Sequence, residues 1–527
     1  MLSPDKKTLI LFPPGKANSK FTLLPPSIEK IGDNSFLNCE KLTNVTIPNK
    51  VKEIGRRAFG LCKNLNTITF LCDEMIDPSK INQAQNEMSF DDGTQTNGER
   101  MFDHITINVR KELYDQYANN TFYQKFKGIK KSFEVGKEEY IAMSEKSVNM
   151  LKTKREDHTF VLPTEIENEG KKYAVNLIGD YAFEGASDKI KEVVVKKNVE
   201  YIGARAFVTK TKKENNKVIL ESTVENVFFI ESNPTEKMLS TTRFELDETE
   251  TNYNEFAPTT NVYVKKSALP IYTEKWNKKV YDRTIHKFKV SPFNFISQID
   301  YKIPAKNFIT NKYGTFAREF DTDFSAYKAE KNNTDVAAFV SKRTDIKIGK
   351  GDYGTSTYHV GMTSVDVNGG VRGNYGYVPA ETGVLLKVLD KEATPDDFFY
   401  TIGEKDDVKY TINGNVMRGI TVNSRSVSPT EDGSPVYVIT KKKGIFEKLT
   451  RTVELFPIHK AYALIGSVPA GAKVMFSFSD EDSSTTGIMS VDAEKPADNV
   501  YYNLNGQRVT TPQRGIFIQN GRKVIVK

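Results

Sequence analysis

Leu42-Thr-Asn-Val45-Thr-Ile47-Pro48-Asn-Lys-Val51-Lys-Glu-Ile54-Gly55-Arg-Arg-Ala58-Phe59-Gly-Leu-Cys62 decides the fold. Its pattern recurs at an offset of 23 residues in both directions. Downstream, Leu65-Asn-Thr-Ile68-Thr-Phe70 repeats Leu42–Ile47. Upstream, Leu24-Pro25, Ile28, Ile31-Gly32, Phe36 and Cys39 precede Ile47-Pro48, Val51, Ile54-Gly55, Phe59 and Cys62. A fixed period of this length is the signature of a repeat architecture. The pattern returns as Ile178-Gly179-Asp-Tyr-Ala182-Phe183 and, 24 residues later, Ile202-Gly203-Ala-Arg-Ala206-Phe207. Ile190-Lys-Glu-Val193-Val-Val195 lies between them.

The spacing dictates the geometry. Side chains alternate along a strand, so Val45 and Ile47 share one face and Thr46 takes the other. A turn or short helix then brings Ile54, Ala58 and Phe59 inward. One such unit cannot bury its own apolar face, but stacked units can, which predicts a solenoid with a parallel sheet along one side. Phe36 and Phe59 are expected to stack as a ladder, and Cys39 and Cys62 to occupy equivalent buried slots. A reactive thiol or a disulfide is the alternative for these two cysteines.

The unit resembles the BspA-type leucine-rich repeats of surface proteins from Bacteroides-like bacteria. Ile47-Pro48, Val51, Ile54-Gly55, Ala58-Phe59, Cys62 and Leu65 carry the resemblance, with their partners one period earlier. The Pro directly after the strand distinguishes this type from common leucine-rich repeats. The second block departs from the pattern: Lys196 stands in place of the Pro, and Ala186 and Lys210 stand near the Cys slot. Val109–Tyr117 matches Val264–Tyr272 at an offset of 155, and each is followed by an aromatic stretch, Phe122–Phe126 and Trp276–Tyr281. Similar segments close repeat arrays in the family, as the open end of a solenoid requires. Glu139–Met143 and Thr159–Leu162 read as opening strands of the second block. The first block begins in mid-pattern at Ser3–Gly15, as expected of a fragment whose upstream repeats are missing.

Past residue 290 the period stops, and short apolar or alternating runs take over. They are Val336–Val340, Val384–Val388, Val436–Ile439, Ala461–Ile465 and Val474–Phe478. Asn368-Gly369-Gly370, Asn413-Gly414 and Glu431-Asp432-Gly433 punctuate them, which argues for an antiparallel β-sandwich. Tyr313–Phe316, Val378–Val384 and Lys460–Leu464 with Pro469–Gly471 resemble a β-module that follows such repeats. Residues 481–499 read as a polar linker. In the tail, Asn505-Gly506 and Asn520-Gly521 each sit between apolar runs as hairpin turns. The tail resembles short C-terminal modules of exported proteins, which implies export or anchoring. A small docked β-appendage is the alternative. The expected organisation is a repeat block at 1–133, a second at 134–289, the β-sandwich at 290–480, the linker at 481–499 and a hairpin module at 500–527.

Composition narrows the function. The 527 residues are 38% hydrophobic and 27% charged, which suits several soluble cores. No apolar stretch is long enough to cross a membrane as a helix. The net charge of +7 is spread over 75 basic and 68 acidic residues, with a loop-like basic cluster at Lys210–Lys217. A nucleic-acid partner would need a concentrated basic stripe, so none is expected. Cys39, Cys62 and Cys72 make no disulfide framework. His104, His158, His286, His359 and His459 lack metal-ligand spacing, so no metal or other cofactor is expected.

Candidate catalytic groups have bland readings. Asp321 and Asp323 share a strand face, with Phe320 and Phe324 opposite, and read as carboxylates outside a core. Gly349-Lys350-Gly351 and Gly369–Gly376 lack P-loop spacing and read as turns. Asp366-Val-Asn368-Gly369 lacks the later Glu of a calcium loop. The protein is therefore expected not to be an enzyme. The expected role is a cell-surface or secreted leucine-rich repeat protein that mediates adhesion or protein binding. The alternatives are a glycan-binding surface protein and a structural spacer. The partner would be a host or bacterial surface protein or a glycan. The outward row of the strands is the expected partner-binding face: Asn44, Thr46, Thr67, Thr69, Glu192 and Val194.

Overall fold

The computed structural model describes residues 1–478 and 501–526, outside the segments 17–20, 84–87, 91–101, 233–238, 240–253, 283–286, 304–312, 326–335, 342–346, 351–355, 366–375, 389–397, 406–411, 440–445, 469–472, 503–507 and 510–514, and the positions 216, 277, 292, 294, 413, 467, 520 and 521. Each repeat of the first block feeds two parallel sheets. Thr8–Leu9, Lys30–Ile31 and Glu53–Ile54 form the first. Asn44–Ile47, Thr67–Phe70, Thr106–Val109 and Gly128–Lys131 form the second, in the register Val45, Ile68, Ile107, Ile129. Val45, Ile47, Ile54, Ala58 and Phe59 all join one core, as the period requires.

The expected ladder is present and longer than two rungs. Phe36 and Phe59 stack at 4.8 Å between ring centroids, and Phe12 and Phe90 extend the stack on either side. The second block carries its own ladder through Phe183, Phe207 and Phe256. The Ile-Gly pair has a steric cause. A Cβ on Gly55 would lie 2.3 Å from Asp33 Oδ1, and one on Gly203 would lie 2.4 Å from Asp180 Oδ1. Each aspartate caps the next rung, accepting from the backbone N–H of Arg56 or Ala204. Two residues later the chain turns through positive φ at Arg57 and Arg205.

Aromatic clusters follow the last strands of each block. After Val109 a short helix, Tyr114–Ala118, and the turn Tyr123–Lys125 bury Tyr117, Phe122, Tyr123 and Phe126 over the first core. After Tyr263 the helix Leu269–Trp276 buries Tyr272 and Trp276 over the second, where Trp276 meets the Phe229 ring edge-on. The opening strands of the second block also form, as Glu138–Ala142 and Thr159–Val161. Its parallel sheet runs Thr159–Val161, Glu192–Val195, Asn226–Phe229, Asn261–Tyr263, Phe295–Ile296. It therefore continues past residue 289. The basic stretch expected as a loop is instead an antiparallel hairpin, Lys210–Glu214 with Lys217–Glu221. Ser222 Oγ ties its base to the Phe207 carbonyl.

The β-rich region is layered differently from a two-sheet sandwich. Val336–Ser341 and Val384–Val388 lie in a central sheet whose two faces enter different cores. Ala338, Val340, Val384 and Leu386 face one core; Ala337, Phe339 and Leu385 face the other. Burial on both faces explains why these strands read as near-continuous apolar runs rather than alternations. On one side lies the sheet of Ile299–Tyr301, Phe398–Ile402, Thr322–Asp323 and Tyr377–Val378. On the other lies the sheet built on Met417–Ile420, Lys460–Leu464 and Ser434–Ile439. Among the described residues pairing here is antiparallel except where Lys473–Phe478 joins Ser356–Ser364 in parallel. Asp432 and Gly433 turn the hairpin at Ser434 with φ of 50° and 71°. Gly349 lies in a strand, Lys347–Lys350, rather than in a turn. In the tail, Gly515–Gln519 pairs with Arg522–Val526, so Gln519 faces Arg522 across two residues. The linker and the glycine stretch 366–375 lie outside the described residues.

Candidate functional site

The outward row of the repeat strands points away from the repeat cores, as the alternation predicts, but it does not meet solvent. Asn44, Thr46, Thr67 and Thr69 are all buried. The opening strand of the second block lies over the row at Thr69. Thr69 Oγ1 donates to the Ala142 carbonyl at 2.9 Å, and Asn108 Nδ2 donates to the same oxygen at 3.0 Å. Around them Phe21, Leu23 and Leu71 of the first block pack with Ile141, Met143, Leu177 and Tyr201 of the second. Small hydroxyl and amide side chains suit a row on which a neighbouring backbone must settle closely.

The second block repeats the arrangement with the β-rich region as its cover. Val194 is fully buried and shares one apolar core with Phe228, Phe320, Val378 and Val384. Phe228 stacks on Tyr263 at 4.9 Å and meets Phe320 at 5.0 Å. Backbone and side-chain bonds stitch the margin. Thr159 N donates to the Val422 carbonyl, His158 N to Asn423 Oδ1, and Ser267 N to Glu404 Oε1.

Glu192 sits at the centre of this junction in a cluster that sequence spacing could not reveal, because its members come from positions 192, 318, 319 and 459. Arg318 Nη2 donates to Glu192 Oε2 at 3.0 Å and to Glu319 Oε1 at 2.8 Å. Thr159 Oγ1 adds a bond to Glu192 Oε2 at 3.2 Å. The guanidinium lies between the rings of Phe228 and Phe320, 4.7 and 4.8 Å from their centroids. Its Nη1 stands 3.1 Å from His459 Nδ1. A guanidinium only donates, so Nδ1 accepts and the imidazole proton resides on Nε2. That N–H faces Glu192 Oε2 at 3.4 Å and Glu319 Oε2 at 3.6 Å.

Glu192, Glu319 and His459 bring their ligand atoms within 4.8 Å of one another, the grouping of a candidate cation site. The proton on Nε2 occupies the lone pair that a metal would need, and Arg318 already supplies the positive charge. The cluster is therefore read as an ion-paired and hydrogen-bonded group centred on Arg318, not as an ion site. Burial, with the Arg318 charge beside it, pushes the His459 value down to about 2 and keeps the ring neutral. Burial pushes Glu319 the other way, up to about 7, although Arg318 opposes the shift.

The expected carboxylate pair is structural. Asp321 accepts from Tyr377 Oη and from Ala380 N, both at 2.7 Å, and Asp323 accepts from Ser325 N at 2.7 Å. Phe320 and Phe324 are buried. Cys39, Cys62 and Cys72 are buried free thiols. Among the described residues no helix is long and apolar enough to span a membrane.

Residues 16–111 and 154–303 match the family model described as the BspA type leucine-rich repeat region, in six copies. No curated protein matches the chain. A leucine-rich cell surface protein from Faecalibacterium prausnitzii is similar at 15% identity, over 51% of this chain and 87% of that one, with a TM-score of 0.17. The pneumococcal vaccine antigen PcpA is similar at 13% identity, over 52% of this chain and 42% of that one, with a TM-score of 0.14. Through both repeat blocks the chain thus carries BspA-type leucine-rich repeats.

Proposed function

We propose that the protein is a non-catalytic, cell-surface or secreted repeat protein that mediates adhesion by binding another protein. What supports the reading is the match of residues 16–111 and 154–303 to the BspA type leucine-rich repeat region, while the first block receives the second on its strand face and the second receives the β-rich region. Units joined through apolar cores act as one body, so a partner held anywhere on it is held by the whole chain. Partner binding at Thr46, Thr67, Thr69, Glu192 and Val194 requires the covering unit to lift away, whereas Asn44 also lines the cleft at the edge of the contact. The first search for a partner therefore belongs on the remaining surface.

Two observations favour further readings. A face spent on internal docking favours the structural spacer. A cleft of about 620 Å³ between the blocks, lined by Asn44, Asn66, Asn176 and Asn198 with Ser144 and Ser147, favours a glycan, whose hydroxyls pair with amides. Immobilised full-length protein, presented with extracellular-matrix proteins and with a panel of neutral glycans, separates the three. Adhesion predicts saturable binding of a protein that is unaffected by Asn66→Ala with Asn198→Ala. Glycan binding predicts loss in that variant. A spacer binds neither class.

A further inference from the structure

Cys39 and Cys62 occupy equivalent positions on adjacent rungs of the first block, 23 residues apart. The two rungs are in contact just before the thiols: Phe36 N donates to the Ala58 carbonyl at 2.7 Å and Asn38 N to the Gly60 carbonyl at 2.8 Å. The Phe36 and Phe59 rings, three residues before each cysteine, stack at 4.8 Å. Each cysteine N–H closes the same local turn, onto Phe36 O and Phe59 O respectively. The two cysteines thus stand on adjacent rungs whose backbones are bonded directly to each other, and a disulfide accepts Cα separations of roughly 4.4–6.8 Å. Cys62 Sγ lies 3.1 Å from the Phe36 carbonyl, on the rung that carries Cys39. Cys72 lies in a different slot, 3.5 Å from the Pro48 carbonyl.

We propose that Cys39 and Cys62 are a redox pair that closes to a disulfide between adjacent rungs, stapling the first block. The oxidant is a small-molecule disulfide. The two thiols have different roles. The Cys62 thiol donates to the Phe36 carbonyl at 3.1 Å, which holds its proton in place, and its contact with Cys39, then burial, push its value up, whereas the neighbouring Cys62 thiol holds the Cys39 value down. Cys39 is therefore the attacking thiolate and Cys62 the resolving thiol. Cys39 sulfur attacks one sulfur of the oxidant, whose S–S bond breaks, and one small thiolate leaves and takes a proton. Cys62 then loses its proton to solvent and attacks Cys39 Sγ, releasing the second small thiol. Two protein thiols are oxidised and one small disulfide is reduced to two thiols. Burial pushes Cys72 up to about 12, which leaves it out of the exchange.

Folded full-length protein treated with oxidised glutathione tests this. The expected result is a fall from three free thiols to one, with a peptide map that joins the Cys39 and Cys62 peptides. The first thermal transition rises by on the order of 10 °C, since the bond closes a loop of about one repeat. Reductant reverses both effects. Cys72→Ala keeps the cross-link, and Cys62→Ala stops at a glutathione adduct on Cys39. Three thiols persisting in the folded protein, a cross-link that includes Cys72, or an adduct on Cys39 that Cys62 never resolves would each overturn the proposal. If Cys62→Ala does not fold, the peptide map of Cys72→Ala still decides it.

Discussion

Arg318 and Glu192 meet at 3.0 Å across the junction between the second repeat block and the β-rich region, with the Arg318 side chain only 2% exposed. The guanidinium is the one positive charge within hydrogen-bonding reach of Glu192 and Glu319 among the described contacts of this cluster. Removing it leaves two buried carboxylates facing each other. Breaking a buried pair from one side costs about 3–5 kcal/mol, because an uncompensated charge remains. Arg318→Ala should therefore detach the β-rich region before the repeats melt, giving two denaturation transitions where the parent should show these units melting together. Arg318→Met with Glu192→Gln and Glu319→Gln removes the charges together and should recover much of the loss. Equal destabilisation by the single and triple variants would show that charge is not the cause.

The same cluster fixes a pH dependence whose two parts oppose each other. His459 has its value lowered from 6.5 to about 2, so its contribution to the closed junction is full above pH 6.5 and declines as pH falls. Glu319 has its value raised from 4.5 to about 7, so its contribution is full below pH 4.5 and is lost as pH rises through 7. Between about pH 7 and 4.5 the closed junction gains a proton on Glu319 while the open one gains a proton on His459. Stability of the junction should be nearly flat there and should fall below pH 4.5, where only the His459 slope remains. His459→Gln removes one side of the balance. In that variant the junction should strengthen on acidification from pH 7.5 to 4.5, by on the order of 3 kcal/mol. A variant profile that parallels the parent, measured by urea titration at each pH, would refute the assignment.

The repeats were legible because their cause is local and periodic. Val45, Ile47, Ile54 and Phe59 are placed by chain spacing alone, and the ladder of Phe36 and Phe59 follows from one offset. The binding face was half legible. Alternation correctly turned Thr46, Thr69 and Val194 away from the repeat core, but nothing local says whether a later segment returns to cover them. Their cover comes from Ala142, Ile141 and the core around Phe320, which no period links to the strands. The row's own chemistry held a clue: Val194 is apolar at an outward position, and an apolar residue there favours a dry contact over a solvated one. The His459 cluster was illegible for the same reason as the cover. Its four members come from three distant segments, at 192, 318–319 and 459, that only the docked fold assembles. The double-sided burial of Val336–Ser341 was present in the sequence as Val-Ala-Ala-Phe-Val, an unbroken apolar run that a two-sheet sandwich does not require.

The Ile-Gly motif gives a contrast between two glycines. At Gly203 an added Cβ would lie 2.4 Å from both Asp180 N and Asp180 Oδ1, and the first of these is backbone that cannot swing aside. At Gly128 an added Cβ meets nothing within 4 Å. Gly203→Ala should therefore force adjacent rungs apart, at a cost of roughly 1–3 kcal/mol typical of overpacking. Gly128→Ala should be neutral or stabilise by about 0.4–1 kcal/mol through loss of unfolded-state freedom. Chemical denaturation of the two variants checks both signs. Equal effects would mean that the glycine after Ile202 is not there for close approach.

Thr46 and Thr69 test whether the strand face is a surface or an interior. Both are buried, Thr46 at 3% and Thr69 at 1% exposure, and Thr69 bonds the Ala142 carbonyl of the second block. A lysine at either place would carry an ammonium into the contact with no carboxylate supplied for it. Burying an unpaired charge is costly enough that the chain would sooner give up the contact or deprotonate the lysine. Thr46→Lys with Thr69→Lys should therefore separate the two blocks, exposing Ile141 and Met143. Protease should then cut faster near residues 132–137, and amides of Glu138–Ala142 should exchange faster with solvent. The comparison is Asn66→Lys, at an exposed position beside the same strand, which should leave both readouts unchanged. If the double variant keeps the parent's exchange and cleavage rates, the face is open in solution and the row regains its expected role as the partner-binding surface. If it separates the blocks and at the same time gains affinity for a matrix protein, the partner competes with the second block for Thr46 and Thr69.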